Sequence, residues 1–258
     1  NIMNSVMKKI QYNNVPIENS YGKYREYLRI NSDYSCAYCT ITESESPGAT
    51  FNIDHFRPVK HFPQLKTNCV NLRYSCPRCN SYKRDNWILE KDGCIKDCIK
   101  CQTKICTKNV FRFIDCLEEE PEDFIELNDS GELKAISGSK PAEYTIKYLR
   151  LNRTQLIKLR NVRRFLELWK QDLLQSLIES EDQIKDIELQ FKEFNIMYPE
   201  EGNIEYKTED QLLVRMARIQ FDMLLTQAKR TKDFVKSEIS RLEYVSEKRL
   251  SSDSDNID

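Results

Sequence analysis

The spacing of apolar residues changes abruptly along this chain. Over residues 20–32 (SYGKYREYLRINS), Tyr24, Tyr27 and Leu28 share one helical face, which predicts a short helix. From Asp33 to about Asn86 no helical period persists, and Cys, Pro, Asn and aromatic residues predominate. That is the texture of short strands and turns. A cysteine-rich insertion follows at 93–106, and then an acidic stretch at 117–133 in which Asn128-Asp129-Ser130-Gly131 reads as a turn.

The remainder is helical in pattern. From Ala142 to Leu250 the only helix breakers are Pro199 and Gly202. Leu149, Leu151, Leu156, Leu159, Phe165, Leu166, Trp169, Leu173, Leu174 and Leu177 recur at helical spacing, predicting a long helix or broken pair from Arg153 to Phe194. Residues 199–202 form a turn, and Thr208, followed by Glu209 and Asp210, starts a second helical stretch over 208–229. The chain therefore reads as α+β. Its expected parts are a helical segment (1–32), a metal-stapled module with its insertion (33–116), an acidic linker or loop (117–140), a helical region (141–250) and a polar, disordered tail (251–258).

With 40% hydrophobic and 31% charged residues, the chain can bury a core and is not a disordered polymer. No run approaches the roughly 18 apolar residues of a membrane helix, and residues 1–14 lack a secretory apolar stretch, so the expectation is a cytoplasmic protein without a membrane partner. In a reducing cytosol, the ten cysteines are expected to hold metal rather than form disulfides. The net charge of -1 conceals an uneven distribution. Residues 1–116 carry 18 Lys and Arg against 11 Asp and Glu, a balance of +7, whereas Leu117–Leu133 has eight carboxylates and no Lys or Arg. A basic N-terminal part is compatible with a polyanionic partner.

Cys36-Ala37-Tyr38-Cys39 and Cys76-Pro77-Arg78-Cys79 are two Cys-x2-Cys knuckles. Each turn aims two thiolates at one point, and two such turns complete a tetrahedral structural zinc site. Four thiolates close that shell, so the zinc is a staple and not a catalyst. Between the knuckles lies Ile53-Asp54-His55-Phe56-Arg57-Pro58, with a carboxylate directly before one of the chain's two histidines. Asn71 follows in Val-Asn-Leu, and Asn80 adjoins Cys79.

This ordered set over residues 30–86 resembles the HNH nuclease motif: Asp-His, then Asn, then His or Asn, interleaved with zinc knuckles. The resemblance implies a ββα-metal module that hydrolyses phosphodiester bonds. Asp54 and Asn80 would hold magnesium or manganese, since hard cations prefer oxygen donors and the set lacks an imidazole. His55, with an ordinary pKa near 6.5, suits a general base. Asn71 would fix the loop and the imidazole, while Arg57, Lys83 and Arg84 are candidate phosphate contacts. His61 fits no role in the motif.

Other signals are weaker. Cys94, Cys98, Cys101 and Cys106 lie within thirteen residues and offer a second zinc site, though their spacing is irregular. Cys69 and Cys116 read as ordinary thiols. Arg150, Arg153, Lys158, Arg160, Arg163 and Arg164 form a basic run that reads as a solvated helix face, a DNA-backbone contact or a dock for an acidic partner. No Gly-x4-Gly-Lys-Ser/Thr loop is present, so the chain is not itself a P-loop ATPase. Compact HNH nucleases with a helical C-terminal half resemble effectors of bacterial anti-phage defence, of the Septu type, in which a separate ATPase controls the nuclease. DNA and such an ATPase are thus the expected partners. A stand-alone restriction-type or mobile-element nuclease and a non-catalytic zinc ribbon are the alternatives.

Overall fold

The computed structural model describes residues 7–87, 111–199 and 208–251. The cysteines at 94, 98, 101 and 106 lie outside the described residues, as does the tail beyond 251. The fold is α+β. A short 3-10 turn (Tyr21–Tyr24) leads into helix α1 (Arg25–Asn31), followed by strands β1 (Asn52–His55) and β2 (Leu72–Ser75) and helix α2 (Pro77–Lys83). Strands β3 (Ile125–Leu127) and β4 (Leu133–Ala135) precede helix α3 (Lys140–Tyr148) and two long helices, α4 (Thr154–Met197) and α5 (Glu209–Ser251). The chain divides into two compact units, one built on residues up to Phe165 and the other on Leu166–Ser246.

In the first unit β1 and β2 form an antiparallel pair, with Ile53 opposite Tyr74 and Asp54 opposite Arg73. All four β2 residues are buried, because β2 has α1 packed on it and core on both faces. Leu28, Tyr38, Phe51, Leu72, Tyr74, Ile114, Leu149 and Leu151 belong to the same buried cluster. Helix α2 opens on Cys76 and Pro77; proline at the first helical position loses no hydrogen bond, and the Cys79 amide donates to the Cys76 sulfur. The acidic stretch expected as a linker or loop instead forms the β3–β4 hairpin. The hairpin carboxylates of Glu126, Asp129 and Glu132 are exposed, while Ile125 and Leu133 are buried in the core. The predicted turn at 128–131 caps this hairpin, with Gly131 at φ +86, a conformation costly for any other residue. There is no room for a side chain either, since a Cβ at Gly131 would lie 2.6 Å from the Asn161 amide oxygen.

The second unit is an antiparallel helical pair. On α4, Leu166, Leu173, Leu177, Ile184, Phe191 and Phe194 fall on one seam, and on α5 Val214, Phe221, Leu225, Ala228, Val235, Ile239 and Leu242 do the same. Steps of three and four residues make these coiled-coil seams. The pairings run in opposite directions: Lys170 with Glu243, Glu181 with Lys232, Glu188 with Lys229, and Phe191 with Phe221. Thr208 begins α5 with a capping box, in which the Gln211 amide donates to the Thr208 hydroxyl and the Thr208 amide donates to the Gln211 side chain. Leu174, Phe165 and Trp169, expected among the apolar helical positions, are exposed off the seam. Replacing Leu151, fully buried in the first unit, by alanine is expected to destabilise that unit by about 2–5 kcal/mol in urea denaturation.

Candidate active site

Four thiols anchor the site. The sulfurs of Cys36, Cys39, Cys76 and Cys79 all lie within 4.8 Å of one another, and all four residues are buried. Cys39 and Cys76 are 3.7 Å apart. A tetrahedron of sulfurs at about 2.3 Å from a central ion has edges of about 3.8 Å, so the cluster fits a structural zinc. The first knuckle is tied to the sheet, since the Ala37 amide donates to the Tyr74 carbonyl. Burial pushes the Cys36 thiol up, while hydrogen bonds from the other three thiols hold Cys76 well below the ordinary range. Arg153, from just before α4, donates to the sulfurs of Cys39 (3.5 Å) and Cys79 (3.9 Å). A guanidinium against thiolates offsets the surplus negative charge that four of them bring to a divalent ion.

Asp54 and His55 are neighbours on β1 and diverge, as successive strand residues do. The Asp54 carboxylate turns inward, where it accepts the Tyr38 hydroxyl proton and lies 3.1 Å from the Lys83 ammonium of α2. Tyr38 sits inside the first knuckle, so the turn that carries two of the four thiols also holds Asp54. Burial, followed by the neighbouring Asp54 charge, pushes the Tyr38 phenol well up, keeping it a donor. Lys83 is fully buried; it also donates to the His55 carbonyl at 2.7 Å, and burial lowers its pKa.

His55 stands half-exposed. Its Nε2 lies 2.9 Å from the Lys66 carbonyl, and the ring packs edge-on against Tyr21. A carbonyl only accepts, so this contact requires the proton on Nε2 and leaves the Nδ1 lone pair free. The Lys66 carbonyl belongs to the loop between β1 and β2, and Asn71 closes that loop. Its Oδ1 accepts from the Arg57 amide (2.8 Å), and its Nδ2 donates to the Arg57 carbonyl (3.0 Å). Asn80 lies on α2, three residues before Lys83.

The cations sort themselves by burial. Arg57 turns inward toward Asp115 (3.8 Å) and Glu118 (3.6 Å), and burial lowers its pKa. Lys83 is likewise internal, and Arg84 alone of the three predicted phosphate contacts is exposed. Much of the basic run is also committed to the protein. Arg160 donates to the carbonyls of Gly131 and Leu151, Arg163 to Glu45 and Thr40, and Arg164 to the Asp129 carbonyl. Cys69 and Cys116 stand apart from the cluster as buried thiols, raised by burial to about 11 and about 12. Nothing in the sequence marked Tyr38 or Arg153 as site residues; a hydroxyl inside a knuckle and an arginine at a helix start acquire their partners only on folding.

The family model for HNH endonuclease matches residues 36–86. Residues 36–86 are an HNH endonuclease domain. This HNH domain includes both knuckles, the β1–β2 pair and α2. Over 161 residues the chain is 29% identical to Septu protein PtuB of Bacillus mycoides (strain KBAB4), covering 55% of this chain and 51% of that protein. Over 81 residues it is 31% identical to protein ea31 of Escherichia phage lambda, covering 31% of this chain and 26% of that protein. The chain thus spans about half or less of the curated relatives it matches. No solved structure matches it. Among the described residues, no helix is long and apolar enough to cross a membrane.

Replacing Cys76 with serine is expected to abolish zinc retention by the HNH domain, and Arg153→Ala to weaken it. Metal released to a colorimetric chelator from purified protein measures both. Equal retention by Cys76→Ser and the parent would show that the cluster holds no zinc.

Proposed function

We propose that this protein is a metal-dependent endonuclease that hydrolyses DNA phosphodiester bonds. The observation that carries the reading is the HNH domain's placement of Asp54 and His55 on β1 against an α2 that bears Asn80, beside the four-cysteine cluster. A zinc ribbon that only binds has no use for a histidine held in one tautomer next to a buried carboxylate. Hydrolysis needs a water made nucleophilic, charge neutralised on phosphate oxygens and a stabilised leaving oxygen.

Asp54 and Asn80 would hold magnesium or manganese, whose contribution when bound is to neutralise that charge. The donors fit, being one carboxylate and one amide oxygen. Tyr38 and Lys83 occupy two of the roughly four lone-pair sites of Asp54, so the carboxylate retains capacity for a cation. The Lys83 ammonium partly offsets the Asp54 charge, which weakens this carboxylate as a cation ligand and makes the Asn80 oxygen a necessary partner. His55, its Nε2–H fixed on the Lys66 carbonyl, takes the proton of water at Nδ1. Asn71 holds the loop that carries that carbonyl and so orients the imidazole without touching substrate.

The biological role we assign is effector of a bacterial anti-phage defence system. Its support is the similarity to Septu protein PtuB, which extends over 161 residues, well past the HNH domain. By analogy, a separate partner such as an ATPase controls the nuclease. A stand-alone restriction-type or mobile-element nuclease is the competing role, and co-purification with an ATPase distinguishes the two.

Incubated with supercoiled plasmid and magnesium, the parent is expected to give nicked or linear DNA. His55→Ala at matched zinc content should do so about 10² to 10⁴ times more slowly. Equal cutting by both would remove His55 from the base role. Tyr38→Phe keeps the ring but loses the donor to Asp54. It should raise the magnesium concentration for half-maximal cleavage roughly tenfold or more, in the range typical of groups that orient metal ligands.

A further inference from the structure

A cavity of about 590 Å³ opens between the ends of α2 and α3, lined by Ser81, Tyr82, Arg84, Lys147, Tyr148 and Arg150. Three of these six side chains are cations and none is a carboxylate. Arg84, Lys147 and Arg150 are all exposed, and among the described residues no carboxylate pairs with any of them. This sets them apart from Arg57, Lys83, Arg160 and Arg163, which are spent on internal partners. Positive residues at helix ends complement the helix dipole, which accounts for their sign. It does not account for the aromatic floor they share.

The Arg150 guanidinium lies 4.9 Å from the centre of the Tyr82 ring, and the Lys147 ammonium 5.9 Å from that of Tyr148. Tyr148 is braced by Tyr144, with ring centres 4.3 Å apart, and Tyr144 is itself buried and bonded to Asn86. Tyr148 remains 41% exposed, a supported aromatic surface open to solvent. Arg84 and Arg150 also both have positive φ, at +48 and +49, each just past a helix end. Residues other than glycine seldom adopt positive φ. Arginine at both places therefore puts two long cations on one cavity against the local backbone preference.

We infer that this cavity binds one nucleotide unit of a single-stranded nucleic acid. The phosphate lies among Arg84, Lys147 and Arg150, and the base stacks on Tyr148. Cations along a backbone with aromatic platforms for bases are how unpaired strands are gripped. A duplex hides its base faces in its own stack, so it cannot use the tyrosine. This deepens, and rests on, the nuclease reading, because Arg84 follows directly on α2, the helix that bears Asn80.

The test is fluorescence anisotropy of a labelled 12-nucleotide single-stranded DNA with the full chain carrying His55→Ala, without added magnesium, over a salt series. Tyr148→Ala should weaken binding about fivefold or more without changing the salt dependence, and the loss should vanish on an abasic strand. Lys147→Ala should instead lower the salt slope by about 0.7, one phosphate contact on a single strand. Arg150→Asn, chosen because asparagine tolerates positive φ, should act like Lys147→Ala. The inference falls if the 12-mer fails to bind at low salt, or if all three variants bind it as the parent does. It also falls if a deoxynucleoside monophosphate displaces the strand at the strand's own Kd, which would assign the cavity to a free nucleotide. Equal affinity for polyglutamate would assign it to an acidic protein and likewise overturn the inference. Because the His55→Ala chain is slowed and the assay lacks added magnesium, binding and cleavage are read separately. Plasmid cutting with unaltered strand binding by the variants sinks only the strand site. An inert parent whose variants lose strand binding sinks only the nuclease reading.

Discussion

Four buried cysteine sulfurs converge on one point, and the architecture of the HNH domain follows from that convergence. Cys36 and Cys39 come from one turn, Cys76 and Cys79 from the start of α2, and a zinc ion among the four sulfurs would clamp the two segments together. In a module whose strands are four residues long, little else would hold the ends of β2 and α2 in place. The clamp reaches further through two side chains. Tyr38, carried by the first knuckle, meets Asp54; Arg153, carried by the helical half, meets the thiolates. The structural metal site and the proposed catalytic centre are therefore one connected object, and loss of zinc should be felt at Asp54.

A second connection is made of buried charge. Arg73 and Asp115 are fully buried and paired, with Arg57 close by, and Arg73 also donates to the carbonyls of Val70 and Leu72. Asp115 belongs to the segment that returns after the cysteine-rich insertion, so this cluster ties that segment back to β2 and to the loop after β1. Ion pairs in such surroundings add little net stability, because desolvation offsets much of the attraction. Removing one partner, however, strands the other. Their effect is to make one arrangement of these segments far better than any other, which a site assembled from several short elements requires.

These demands explain the fate of the arginines. A guanidinium carries five donors and satisfies several carbonyls at once, so the fold uses Arg160, Arg163 and Arg164 to fasten α4 to the β3–β4 turn and to the loop after the first knuckle. Arg160 and Arg163 are buried, so these two are not a solvated face. Arg84, Lys147 and Arg150, at the ends of α2 and α3, are exposed instead, beside tyrosine.

Local geometry was readable in the residues alone. Knuckle spacing specifies thiolate convergence within four residues, the 3.6-residue period specifies helices, and the order Asp54, His55, Asn71, Asn80 specifies the kind of module. Thr208 as the start of α5 follows from capping chemistry confined to one turn. The destinations of long charged side chains were not readable, because an arginine's partner is chosen by segments that approach only in the folded chain: Arg163 meets Glu45, and Lys83 meets Asp54. The acidic stretch misled for the same reason, since three-residue strands such as β3 and β4 are too short to show a period and exist only because Ile125 and Leu133 find a core. Sequence determined which groups the protein possesses and which lie near one another by local geometry; tertiary structure decided which charges are buried, paired or left facing solvent, since burial is a property of distant contacts.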